Sequence, residues 1–478
     1  MKNVARASHL AAFVAALAAV FAGALPGAAA GSSNIVVRAD APSGASNQKL
    51  TGVGWNTGTL DGVAGLEPHQ VRIDASLQSA APSLGVLDLT QVKEQVAAVR
   101  AIGAEPLVGL WYMPRWLGEP LAAGRDPMLV APHDFDVWEA LIRDVVRELA
   151  TAPEPALRFE VWNEPDSPIF WQDTPAAFYE VAIRTHRAVA AVATETGLPL
   201  EIGGPAATFP DPPFMLGYLA ALRNAGVPLD FVSWHYYGNY PFLGPDGAEA
   251  TIPEPARPIT LVWGQRNPAT TPAIYGVGVE LVRALTDSAL AGSALDPRLM
   301  ITEWNLSAGG HDVRNDSNVG AAFDAATLIE MERSGLDAAD FYRASNSPSE
   351  TRPGDWGLVW ADGSPKPAWW IFRAWLETAG EVLPIEGDDP AGGLWARATA
   401  SPGRIDVLLA SFVATGGSAR DVTVSLAGAC AGSAEVRALS EASSDLAAAT
   451  DVEVGPNGLS LVLPPESLTW VRFSTGCA

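Results

Sequence analysis

Cysteine is nearly absent. The 478-residue chain has two, Cys430 and Cys477, both near its C-terminal end. That excludes a disulfide-built scaffold, and no Cys/His spacing points to a zinc site or a catalytic thiol. In an exported protein such a pair reads as one disulfide tying the last residues to a C-terminal domain, with two buried thiols as the alternative. Basic residues are scarce too. Thirty Lys and Arg stand against 54 Asp and Glu, a formal net charge of −24. Nucleic acid and anionic membrane are poor partners for such a surface, because both would be repelled. The acidity otherwise reads as a solvated face that keeps the chain in solution.

Long apolar runs are missing beyond the first residues. Lys2 and Arg6 precede an almost unbroken apolar stretch at 10–25, followed by Ala28-Ala29-Ala30. This is the pattern of a secretory signal over residues 1–30, cut after Ala30. A membrane anchor is the alternative, but the run falls short of the roughly 20 residues that span a bilayer. The expected mature chain is secreted or periplasmic, with no membrane partner.

What is present is ample apolar residue, 48% of the chain, and a regular alternation. Short β-branched or apolar runs at 51–55, 70–74, 105–111, 157–162, 200–203, 230–235, 298–303 and 338–343 alternate with helical patterns. Within 90–102, Val92, Val96, Val99 and Ile102 recur at spacings of three and four, a helical face. Segments 135–149 and 175–196 behave alike, the latter opening on Pro175 behind Thr174. Eight βα units predict a (β/α)8 barrel over residues 45–380, an α/β fold. After Pro384 the helical pattern stops, and alternating runs such as 404–409, 422–426 and 460–463 predict an all-β sandwich over 381–478. Residues 31–44, alternating at 34–39, are expected to add a strand to it. A Pro/Gly-rich stretch, 238–272, follows the sixth strand and is expected at the rim of the barrel mouth.

Two glutamates fall at strand ends, where such barrels carry their chemistry. Glu164 follows the fourth strand in Trp162-Asn163-Glu164-Pro165; Glu303 closes the seventh in Thr302-Glu303-Trp304-Asn305. Glycosidic cleavage needs two carboxyls, one to protonate the leaving oxygen and one to attack the anomeric carbon or activate water. Either glutamate alone could instead pair structurally with an arginine; it is the two together, in strand order, that point to catalysis. The chain is also rich in tryptophan, 16 against 8 tyrosines. Most belong to the core, but Trp111, Trp116, Trp171, Trp304 and Trp360 fall at or after strand ends and are candidates for walls that stack on sugar faces.

These two motifs resemble the acid/base and nucleophile motifs of clan A glycoside hydrolases, and within that clan family 39, the β-xylosidases and α-L-iduronidases. Met113-Pro114-Arg115-Trp116-Leu117, Gly203-Gly204-Pro205-Ala206, Ser233-Trp234-His235-Tyr236-Tyr237 and Gly363-Ser364-Pro365-Lys366-Pro367-Ala368 match in order along the barrel. The resemblance implies a retaining hydrolase of a carbohydrate substrate, without metal or organic cofactor. It implies Glu164 as acid/base, Glu303 as nucleophile, Asn163 on the sugar 2-hydroxyl, Arg72 beside Glu303, and His235 and Tyr237 flanking the nucleophile. Where relatives place an aromatic platform, often tryptophan, after the eighth strand, this chain reads Phe341-Tyr342-Arg343. Trp356 or Trp360 is the expected substitute, and Arg343 a candidate contact for an acidic or unusually hydroxylated sugar. An endo-acting polysaccharide hydrolase and a non-catalytic carbohydrate-binding protein stand as alternatives to a β-xylosidase-like enzyme.

Overall fold

The computed structural model describes residues 32–122, 124–150, 157–238, 271–414 and 416–476. The expected signal segment, nearly all of the Pro/Gly-rich stretch and Cys477 lie outside them; Cys430 is disulfide-bonded. The first described strand is β1 (Ser33–Arg38). Eight parallel strands then close in chain order: β2 (Gly52–Trp55), β3 (Gln70–Ser76), β4 (Glu105–Trp111), β5 (Leu157–Val161), β6 (Leu200–Ala207), β7 (Phe231–Tyr237), β8 (Arg298–Asn305) and β9 (Ala338–Phe341). All eight expected runs are barrel strands, and β9 pairs back onto β2.

The helices between them form for local reasons. Helix Thr90–Ala101 buries Val92, Val96 and Val99. Helix Phe135–Leu149 is capped by Asp134, whose carboxylate accepts from the amides of Asp136 and Val137. Helix Pro175–Thr196 starts behind Thr174, which accepts from Ala177, and stops at Gly197 in the left-handed region.

The remaining strands are β10 (Glu381–Leu383), β11 (Ile385–Glu386), β12 (Leu394–Ser401), β13 (Arg404–Ser411), β14 (Arg420–Ala427), β15 (Ala431–Leu439), β16 (Thr450–Glu453), β17 (Leu459–Leu463) and β18 (Ser467–Thr475). They form a four-stranded sheet, β11-β1-β14-β17, and a six-stranded sheet, β10-β12-β13-β18-β15-β16. β1 lies parallel to β14, from Ser33 opposite Val422 to Arg38 opposite Ala427. In β13 the expected alternation gives way to burial on both faces. Ile405, Val407 and Leu409 join the core between the sheets, while Leu408 and Ala410 pack into the barrel's core with Trp395 and Trp470. That seam is reinforced at helix Asn318–Arg333, where Glu330 accepts from Trp395 Nε1 at 2.6 Å and Glu332 from Arg397 Nε at 2.7 Å.

The barrel interior is unusually polar. Side chains alternate along a strand, so Gln70, Arg72 and Asp74 of β3 and Arg158 and Glu160 of β5 share the inner face. Arg158 donates to Gln70 at 2.8 Å, Gln70 to Asp340 at 2.7 Å, and, one layer nearer the mouth, Arg72 Nε to Glu160 at 2.7 Å. A buried charge is costly unless paired, and here Arg72 is paired with Glu160 and Arg158 with Glu105 and Glu201.

Candidate active site

Each candidate glutamate is aimed by a local break in the regular backbone. At the end of β5, Trp162 and Glu164 adopt left-handed conformations, φ 67° and 49°. The Glu164 amide donates to the carbonyl of Ala206 at 2.8 Å, and the Ala206 amide to Ser233 Oγ at 3.1 Å. The Gly203-Gly204-Pro205-Ala206 motif thereby holds Glu164 from the neighbouring strand. On β8, pairing with β7 slips between Ile301 and Glu303, since Trp234 faces Ile301 but the next residue, His235, faces Glu303. Met300 points into the barrel, so strict alternation would send Glu303 outward toward the helices. The extra residue, Thr302, resets the parity, and Glu303 shares the inward face with His235.

The two carboxylates meet at the mouth. One oxygen of each, and a ring nitrogen of His235, lie within 4.8 Å of one another. His235 Nδ1 is 2.9 Å from Glu164 Oε1 and 3.7 Å from Glu303 Oε2. Arg72 spreads its guanidinium over three acceptors: Glu160 at 2.7 Å, Glu303 Oε2 at 3.0 Å and Asn163 Oδ1 at 3.0 Å. Tyr237 donates its hydroxyl to Glu303 Oε1.

Their environments differ in kind. Burial, then the charge of Glu303 and of Asp166, pushes Glu164 well above the usual carboxylate range, with Arg72 opposing. Burial also raises Glu303, but it is opposed by the Arg72 charge and by the Tyr237 hydrogen bond, both of which favour the ionised form. His235 is held well below its ordinary value by burial and by Arg72, so its ring is neutral near pH 7. The pair can hold one proton on Glu164 and one charge on Glu303. Glu164, His235 and Glu303 are also the set that could ligate a cation, but Arg72 and Tyr237 already occupy the two Glu303 oxygens, and the guanidinium would repel an ion there.

The tryptophans sort differently from the sequence expectation. Trp304, at 0% exposure, is turned outward by the same reset of β8 and stacks on Phe372 behind the sheet, so it belongs to the barrel's outer core rather than to the mouth. Trp111, 4% exposed, lies beneath the Arg72 guanidinium, 4.7 Å from ring centroid to carbon, and supports that residue instead of walling a subsite. Trp171 is buried edge-on against Trp162, and Trp116 donates to the Ala81 carbonyl at 2.8 Å. Trp360 sits on the rim, 36% exposed, with Lys366 Nζ 4.7 Å from its ring.

Arg343 is not free to meet an acidic sugar. It is 7% exposed, its Nη2 donates to both carboxylate oxygens of Asp355 at 3.0 and 2.9 Å, and the rings of Tyr342 and Trp356 flank it. This pair braces the aromatic that follows β9. Tyr342 stands edge-on to Tyr237, 6.5 Å between centroids, and edge-on to Trp356, and its hydroxyl accepts from Asn56 Nδ2 at 2.9 Å. Tyr342 therefore occupies the place expected of a tryptophan, with Trp356 behind it.

Four site residues escaped the sequence reading: Glu160, Asp74, Tyr112 and Tyr342. For Glu160 and Asp74 a signal existed, the polar residues at every second position of otherwise apolar strands. For Tyr342 the signal was its place directly after the eighth strand, where relatives carry an aromatic; for Tyr112 there was none.

Gly109 shows how closely the support is packed. A Cβ there would fall 1.6 Å from the Trp111 ring. Gly109→Ala is expected to destabilise the fold by about 1–3 kcal/mol, the usual cost of overpacking, and to lower activity as well, because Trp111 would be driven from under Arg72. Thermal unfolding and kinetics on the same preparation check both.

Residues 80–246 match the family model for glycosyl hydrolases family 39. A β-xylosidase from Caldicellulosiruptor saccharolyticus is 26% identical over 309 residues, 60% of this chain, and the chain spans 56% of that relative's length. Among solved structures, a monomeric β-xylosidase from Caulobacter crescentus superposes with a TM-score of 0.71 at 19% identity, over 93% of this chain and 99% of that one. A glucosidase from Croceicoccus marinus gives a TM-score of 0.67 at 20% identity, over 93% and 100%. At such identities the superpositions speak for the fold, a barrel with an attached β-sandwich. Over residues 80–246, which include the Glu164 motif, the chain is similar to glycosyl hydrolases family 39.

Proposed function

We propose that this protein is an exported, retaining glycosidase of β-xylosidase type, with Glu164 as acid/base and Glu303 as nucleophile. The observation that carries the reading is one mouth holding two carboxyls with oxygens within 4.8 Å, of which Glu303 alone is held by Arg72 and Tyr237. Retaining enzymes keep the two groups roughly 5–5.5 Å apart, so that one reaches the anomeric carbon directly; inverting enzymes leave room for a water.

In the first step Glu303 attacks the anomeric carbon and the Glu164 proton passes to the departing oxygen. In the second, Glu164 takes a proton from water, whose oxygen attacks the same carbon and releases Glu303. Arg72 and Tyr237 hold Glu303 ionised and oriented before attack. Asn163, fixed through its oxygen by Arg72, keeps its amide N–H groups for the sugar 2-hydroxyl. Tyr342, on the Tyr237 side, offers a ring face to the sugar. With Arg343 neutralised by Asp355, a neutral glycone suits the site better than a uronic acid. The β-xylosidase names of the relatives support xylose as the first sugar to try, and the pattern of residues 1–30 supports export.

The test is a panel of aryl glycosides and polysaccharides with the anomer of the first product followed by NMR. Release of β-xylose, before mutarotation, is the expected outcome. An α-anomer released first from a β-glycoside would overturn the retaining assignment. Cleavage of polymer alone would make the enzyme endo-acting, and sugar binding without hydrolysis would leave a carbohydrate-binding protein.

A further inference from the structure

The proposed mechanism leaves one carboxylate at the mouth without a task. Asp74 lies two residues beyond Arg72 on the inner face of β3, one pleat nearer the opening. On that strand it follows Arg72, whose guanidinium holds Glu303, so it lies on the mouth side of the carboxylate pair, and its charge is felt at Glu303 and Tyr342. Every other charged group here is committed: Arg72 to Glu160, Glu303 and Asn163, His235 to Glu164, Arg343 to Asp355. Among the described residues, no hydrogen bond reaches the Asp74 carboxylate. Burial lifts it to about 6, against the pull of Arg72, so near neutral pH it is largely ionised. Asp74 is half-buried and its carboxylate takes no donor from the described residues, so a hydroxyl of a bound ligand can replace the solvent on it.

We propose that Asp74 is a specificity residue that accepts a hydrogen bond from a ring hydroxyl of the bound glycone, other than the 2-hydroxyl served by Asn163. This inference rests on the glycosidase reading and narrows its substrate class to neutral glycones hydroxylated at carbon 3 or carbon 4. A sugar hydroxyl on a carboxylate is a charge-assisted bond, stronger than a neutral one, and its direction sorts sugars by the configuration of that hydroxyl. Asp74 takes no part in bond breaking; it touches substrate and fixes its seat.

The experiment is a cycle between enzyme and substrate. The 4-nitrophenyl glycoside best cleaved by the wild type is compared with its 3-deoxy and 4-deoxy analogues, on wild type, Asp74→Ala and Asp74→Asn. Wild type is expected to lose roughly 10–100-fold in kcat/KM on one of the two analogues, the usual worth of a hydrogen bond to a charged group. Asp74→Ala is expected to lose a similar factor on the parent and less than about twofold more on that analogue. Asp74→Asn, which keeps an acceptor without the charge, should fall between. Losses that multiply on both analogues would overturn the proposal while leaving the glycosidase reading intact. Calorimetric titration of the three proteins with the uncleavable S-linked glycoside and its deoxy analogues reads the same coupling without turnover. A wild type that cleaves no glycoside, and binds parent and deoxy ligands equally or not at all, would overturn both.

Discussion

Glu303→Ala is expected to reduce turnover by about four orders of magnitude or more on every glycoside, activated or not, as loss of a covalent nucleophile does. No leaving group relieves the loss, because without the carboxylate no glycosyl-enzyme forms. The fold should survive. Arg72 keeps its 2.7 Å bond to Glu160 and its 3.0 Å bond to Asn163, so the guanidinium is not stranded. Thermal unfolding within a few degrees of wild type would separate a chemical from a structural effect. Azide offers a further reading. Small enough to enter the vacated space, it should attack the anomeric carbon and yield a glycosyl azide of inverted configuration while Glu164 protonates the leaving oxygen. Removing Glu303 also removes the charge that ranks next after burial in raising Glu164. The Glu164 carboxyl should therefore titrate lower in Glu303→Ala than in wild type, measurable by carbon-13 NMR of labelled glutamate. Residual turnover near wild type, or an unmoved Glu164, would place the nucleophile elsewhere.

Glu164→Ala should show the opposite selectivity. For an alkyl or sugar leaving group the loss should be about 10²–10⁴-fold, the ordinary worth of general acid help. For a nitrophenyl glycoside, whose phenolate departs without a proton, the first step should be nearly unaffected. Its product should then form slowly, since the second step has lost its base. A burst followed by a slow steady rate is the expected trace. The pH profile provides a second check. Wild-type kcat/KM needs Glu303 ionised and Glu164 protonated, so it should rise as pH climbs through the Glu303 pKa and fall as pH climbs through the raised Glu164 pKa. In Glu164→Ala the alkaline fall should disappear while the acid limb remains. Equal slowing across leaving groups, with the alkaline limb retained, would show that another group supplies the proton.

Much of this arrangement was legible in the chain. The eight short apolar runs were separable because each is bounded by helical periodicity or by turn residues, and strands buried on both faces need such runs. Glu164 and Glu303 stood out because one follows a strand and the other closes one, each in a motif with Trp and Asn. Glu160 was read as part of an apolar strand. Its alternation with Arg158 was the signal that the inner face is charged, but only the neighbouring strand shows that its partner is Arg72. Arg343 was misread for the complementary reason. Its identity announces a charge, whereas its function depends on Asp355, twelve residues on and brought back by the loop.

By itself the sequence determined the kind of fold and the two carboxyls, because periodicity and strand-end motifs are local properties of the chain. Tertiary structure decided where those carboxyls point and what surrounds them. Glu303 faces the mouth, and Trp304 the outer core, only because one extra residue at Thr302 shifts the pairing of β8 against β7. A side chain's face depends on register with the next strand, and that register is written in no single segment.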